Sequence, residues 1–91
     1  MKLSKTTTTF STKRGLNVDV MEIEEGLNIL TISEEEADNN KYLEYIANED
    51  GSFSYKYNED LVSKGTKEEL PATIKDEKHL REVIEFISNE I

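Results

Sequence analysis

His79 is the one imidazole in this sequence, and there is no cysteine. Any chemistry would therefore rest on hydroxyls, amines and carboxylates. His79 falls in the first turn of a helical pattern, where the positive end of the helix dipole disfavours an imidazolium, and spacing supplies it with no partner. A structural or solvent-facing histidine is the expectation. Metal sites need clustered histidine, cysteine or carboxylate ligands at set intervals. Asn48-Glu49-Asp50-Gly51 and Asn58-Glu59-Asp60 lack the ligand spacing of a calcium loop and read as turns. Ser63-Lys64-Gly65-Thr66 lacks the upstream glycine of a phosphate loop. Carboxylates abound, but no pair is marked by an apolar setting as a general acid with its base. The expectation is a non-enzyme with no catalytic, cofactor-binding or metal-binding residue.

Acidic and aromatic side chains remain. Twenty Asp and Glu face eleven Lys and Arg, for a net charge of −9. Residues 1–18 carry Lys2, Lys5, Lys13 and Arg14 and no acid, so +4; residues 19–91 hold seven basic and twenty acidic residues, so −13. Such a chain repels nucleic acid and anionic membranes and is drawn to basic surfaces. Acids also suit turns, helix starts and solubility, which is the plainer account of the clusters. The sharper account is docking: Glu22, Glu24, Glu25, Glu34, Glu35, Glu36 and Asp38 meet a basic partner, and Tyr42, pointing away from Tyr45, adds an amphipathic ring. Carboxylates two residues apart on a strand, such as Glu22 and Glu24, would project about 7 Å apart, near the spacing of neighbouring phosphates.

These residues need elements to hold them. The organising stretch is Leu16 to Ile32, two apolar runs joined by Glu24-Glu25-Gly26. A three-residue hairpin loop ends in a left-handed residue, for which glycine is cheapest. That loop pairs Ile23 with Leu27, Met21 with Ile29, Val20 with Leu30 and Val18 with Ile32. Met21, Ile23, Leu27 and Ile29 then share one face, and Val18, Val20, Leu30 and Ile32 the other. Apolar residues on both faces mean either a β-bulge near Val20-Met21 that turns everything to one core, or cover on both sides.

Thr6 to Thr12 reads as a threonine-rich strand that turns at Lys13-Arg14-Gly15 and adds Phe10 to the Val18 face. Lys41–Ala47 and Phe53–Tyr57 form a second hairpin around Glu49-Asp50-Gly51, pairing Leu43 with Tyr57, Tyr45 with Tyr55 and Ala47 with Phe53. Ser33 to Asn40 is a loop. In 58–74 we expect short turns: Asn58 capping one that Gly65 ends, and Leu61, Val62, Leu70 and Ile74 holding the segment to the core. Asp76 caps a helix through Glu90, with Leu80, Val83, Ile84, Ile87 and Ile91 on its buried stripe, Phe86 at the margin, and a Glu77–Arg81 surface pair.

The expected fold is α+β: a five-stranded antiparallel β-meander with one C-terminal α-helix packed on one face. We expect a single domain over 1–91, with 1–5 flexible, 6–57 the sheet, 58–74 an irregular connection and 76–90 the helix. No segment has the length and apolarity of a membrane span, and none reads as a signal peptide, so a cytoplasmic protein is expected. The expected function is a small acidic protein-binding module, an inhibitor or antagonist docking on a basic surface of a partner, including a nucleic-acid-binding one. Phage-encoded antagonists and bacterial immunity proteins fit this physical description. The alternative is a structural subunit, a homodimer formed through the Phe10, Val18, Val20, Leu30 and Ile32 face or an edge strand.

Overall fold

A computed structural model describes residues 2–34 and 41–90. The chain runs α1 (Lys5–Thr12), β1 (Leu16–Glu24), β2 (Leu27–Glu34), β3 (Tyr42–Ala47), β4 (Phe53–Glu59), α2 (Lys64–Glu68), β5 (Thr73–Ile74) and α3 (Glu77–Glu90). The five strands form one antiparallel sheet in sequence order. The expected α+β class and meander hold, with the C-terminal helix on one face. One strand differs in place: the fifth lies at the β4 edge, not at the N-terminus.

The threonine-rich segment is a helix. Ser4 caps it by accepting the Thr7 N–H at 3.3 Å. The Thr8, Ser11 and Thr12 hydroxyls donate back to carbonyls three or four residues earlier, which satisfies them within the helix without adding to its stability. Leu3, Thr7 and Ser11, at four-residue spacing, are all buried. The deciding contact is distant in sequence. One oxygen of Glu77, at the start of α3, accepts the Ser4 N–H at 3.1 Å, the Ser4 hydroxyl at 2.7 Å and the Thr7 hydroxyl at 2.6 Å. Arg81 donates to the Thr7 hydroxyl at 3.0 Å. Threonine's strand preference measures fit to a half-buried pleated surface, and a buried Thr7 satisfied by α3 outweighs it here. The expected Glu77–Arg81 surface pair therefore acts jointly on Thr7. Within the segment 1–5 expected to be flexible, Leu3 is buried and Ser4 caps α1, while Met1 lies outside the described residues.

Gly15, with φ +76°, lets the chain leave α1 and enter β1. In the first hairpin the register is the expected one, including Val18↔Ile32, Val20↔Leu30 and Met21↔Ile29. The tip departs from it: the pairing shifts between Glu22 and Glu24, so Glu24 and not Ile23 faces Leu27. Gly26, at φ +81°, takes the left-handed position. Pairing is continuous through Val20 and Met21, so no bulge turns the two apolar sets to one side.

The second hairpin has Ala47↔Phe53 and Tyr45↔Tyr55 as expected, then a shift between Glu44 and Tyr45. Tyr57 thereby pairs with Glu44 instead of Leu43 and moves to the opposite face. β4 continues to Glu59, so Asn58 starts no helix; its side-chain amide donates to the Val62 carbonyl at 3.1 Å. Ser63 caps α2, and Gly65 lies inside that helix instead of ending it.

Leu16, Val18, Leu30, Ile32, Leu43, Tyr45 and Phe53 from the sheet pack with Leu61, Val62 and Ile74 and with the α3 stripe Leu80, Val83, Ile84 and Ile87. Phe10, Val20, Leu70 and Phe86 sit at the margin of this core. Ile91 lies outside the described residues. The face proposed for homodimer contact, Phe10, Val18, Val20, Leu30 and Ile32, is thus the inner face. Val18, Leu30 and Ile32 of it are buried in the core, while Val20 and Phe10, the latter on α1, sit at its margin.

Candidate protein-docking surface

The outer face of the sheet lies opposite that core. Alternation places Asp19, Met21 and Ile23 of β1, Leu27, Ile29 and Thr31 of β2, and Tyr42, Glu44 and Ile46 of β3 on it. Met21, Ile29 and Ile46 pair in one row across three strands. Ile29, in the middle of the row, is 2% exposed, whereas Met21 and Ile23, on β1, are each 54% exposed. The row is apolar and ends at the border of the sheet.

That border is free because α1 is a helix. β1 is the first strand of the sheet, and among the described residues no strand pairs with its outer edge. The Val20 N–H is instead held by its neighbour Asp19, whose carboxylate accepts it at 3.0 Å. An amide so held points away from β2. Antiparallel ladders alternate, so the Val18 and Glu22 amides point outward too.

The sequence-derived site residues do not form one patch. Glu22, Glu24 and Glu25 are exposed together at the hairpin tip beside Met21 and Ile23. Glu34 is exposed at the other end of the ribbon, opposite Leu16. Seven residues of strand, about 23 Å, separate it from the tip. Glu35, Glu36 and Asp38 lie outside the described residues. The phosphate-like spacing expected of Glu22 and Glu24 is interrupted by the shift between them, and the Glu22 carboxylate accepts the Gly26 N–H at 3.2 Å. The bulge bends the strand locally and takes the two carboxylates out of simple alternation.

Tyr42 lies at the Glu34 end, half-buried on the outer face, its ring 5.8 Å from that of Tyr57. Tyr57 is exposed and donates its hydroxyl to Glu59. That hydrogen bond, with smaller contributions from desolvation and nearby negative charge, pushes the phenol up to about 12. Lys56 lies 4.0 Å from Glu44 on the same strand pair. This end is mixed in charge and its rings pack on each other, whereas the tip is acidic with its apolar side chains bare.

His79 has a structural post. Its Nδ1 accepts the Lys75 N–H at 3.0 Å, and its backbone N–H donates to the Asp76 carboxylate at 2.9 Å, closing the start of α3. Arg14 of the basic N-terminal segment lies 3.4 Å from the Phe10 ring centroid, donates to the Phe10 carbonyl at 3.1 Å, and reaches Glu85 at 3.8 Å. Among the described residues no three His, Cys, Asp or Glu side chains cluster as a metal site, and no helix is long and apolar enough to cross a membrane.

Sequence reasoning passed over Met21, Ile23 and Tyr57. The signal for the first two was present, since alternation had set them apart from the Val18 face. The bulge that exposes Tyr57 had no sequence signal. Comparison with protein-family models, with curated proteins and with solved structures finds no match for this chain.

Proposed function

We propose that this protein is a non-enzymatic binding module whose β1–β2 hairpin tip docks on a basic surface of a partner protein, as an inhibitor or antagonist would, in the cytoplasm. One observation carries the reading: Met21 and Ile23 stand more than half exposed on one strand, with Glu22, Glu24 and Glu25 around them. About half of the Met21 and Ile23 side chains stays in water on folding, and covering that half with a partner would contribute roughly 1 kcal/mol each. The surrounding carboxylates speed encounter with a basic surface and bar wrong partners, while the apolar pair sets the lifetime of the complex.

Affinity capture from a cell lysate tests this. Wild-type protein should retain a basic protein at low salt and release it as salt rises. A Met21→Ser/Ile23→Ser variant, and separately a Glu22→Gln/Glu24→Gln/Glu25→Gln variant, should each lose it while melting like the wild type. Retention of the same partner by both variants would overturn the reading, and so would retention of nothing by the wild type.

A further inference from the structure

We propose that the free edge of β1 is a strand-addition site, which takes an extended segment of the partner bearing Lys or Arg at the positions facing Asp19, Glu22 and Glu24 and apolar residues between them. This deepens the docking reading and rests on it.

A sheet edge presents unpaired amides and carbonyls, and a partner strand answers them with main-chain hydrogen bonds while its side chains fill alternate faces. On this edge the outward groups belong to Val18, Val20 and Glu22. The Val20 amide donates to the adjacent Asp19 carboxylate at 3.0 Å. An added strand supplies a carbonyl in its place and frees that carboxylate for a cation. On the outer face the new strand lies against Asp19, Met21 and Ile23 and extends the row Met21–Ile29–Ile46 by one residue. On the inner face it lies against half-buried Val20, at the margin of the core, and exposed Glu22.

The charges choose the occupant. Asp19, Glu22, Glu24 and Glu25 line one edge, and the chain as a whole is −9. Pairing with β1 of a second copy would bring two such sets together, which cross-strand repulsion disfavours. A segment with alternate lysines or arginines neutralises them. In the antiparallel sense, read from Glu22 back to Asp19, the complement is basic, apolar, apolar, basic, with a further cation for Glu24 beyond the bulge. The carboxylates that guard the edge against indiscriminate pairing thus also select what it accepts.

The test uses the full chain and a labelled peptide containing Lys-Val-Lys-Val-Val-Lys, with binding read by fluorescence anisotropy and mapped by amide NMR shifts. The peptide should bind with shifts centred on Val18–Glu24. N-methylating its third and fifth residues, which face Glu22 and Val20, should weaken binding about tenfold or more, whereas methylating the second and fourth, whose amides face away, should not. Glutamates in place of the lysines should abolish binding. Val20→Pro removes an amide that makes no ladder bond to β2, so a folded variant should lose the peptide. The proposal is overturned by no binding, by equal loss from both methylation patterns, by undiminished binding of the glutamate peptide, by shifts mapping elsewhere, or by a wild-type dimer that Val20→Pro abolishes. If Val20→Pro does not fold, the methylated peptides still decide. If Val20→Pro captures the lysate partner as well as wild type while Met21→Ser/Ile23→Ser does not, the docking reading stands and strand addition fails. If neither wild type nor variant captures a basic protein, the docking reading itself is lost.

Discussion

At the scale of single residues, Glu77 joins the two ends of the chain. Desolvation alone would raise its carboxyl, but hydrogen bonds from Thr7 and Ser4, with the Arg81 charge behind them, hold it below its ordinary value of 4.5. The folded state therefore binds a proton there less readily than the unfolded chain does. Glu77 adds stability that is complete above pH 4.5 and disappears as the pH falls through the depressed value. Glu77→Ala should lower unfolding free energy by about 1–3 kcal/mol at neutral pH, through hydrogen bonds lost to a charged acceptor. Glu77→Gln should flatten the acid side of the stability profile. Denaturant unfolding across pH 2.5 to 7 (a range of roughly four to five units, spanning both states of the carboxyl) checks both; an unaltered acid limb in Glu77→Gln would remove Glu77 from this role. Asp50 shifts in the same direction because Ser52 donates to it from side chain and backbone, but it is fully exposed and ties together only its own turn.

At the scale of elements, the β1–β2 hairpin depends on its reversal. Gly26 holds φ +81° with no atom near enough to obstruct a Cβ, so the objection to a side chain there is conformational and not steric. Gly26→Ala should cost about 1 kcal/mol and loosen the tip that carries Met21 and Ile23. Thermal melts and hydrogen exchange at Glu22 to Asn28 measure this; a melt and exchange rates matching wild type would show that the left-handed residue is not what shapes the tip. Replacing Ile23 with Thr, by contrast, should change stability by no more than about 0.5 kcal/mol, because the side chain is largely in water already.

At the scale of the whole molecule, the net charge of −9 makes self-repulsion a general term. Two ion pairs set against it among the described residues are long, Arg14–Glu85 at 3.8 Å and Lys56–Glu44 at 4.0 Å, and partly exposed, so screening takes little from them. Added salt should therefore stabilise the fold. The melting temperature should rise between about 0.02 and 0.5 M NaCl, over which the Debye length falls from roughly 20 Å to under 5 Å. A falling melting temperature would mean that attractive pairs outweigh the repulsion. The same salt should weaken docking on a basic partner, so fold and complex respond to it with opposite sign.

The sequence by itself determined what short-range rules can reach. Gly26 and Gly51 mark reversals because left-handed backbone suits glycine, and alternation from them sets the register of Val18, Val20 and Met21 against β2. The stripe Leu80, Val83, Ile84 and Ile87 marks the buried side of α3 in the same way. Tertiary structure alone decided the state of Thr6–Thr12, because the helix is held by Glu77 and Arg81, partners seventy or more residues away that no local propensity includes. It also decided the place of Tyr57, since one extra residue in a strand reverses every face beyond it. The candidate site follows from the first of these. With the N-terminal segment folded as a helix on α3, no strand among the described residues pairs with the outer edge of β1, and Met21, Ile23 and the Val20 amide are left at the border of the sheet.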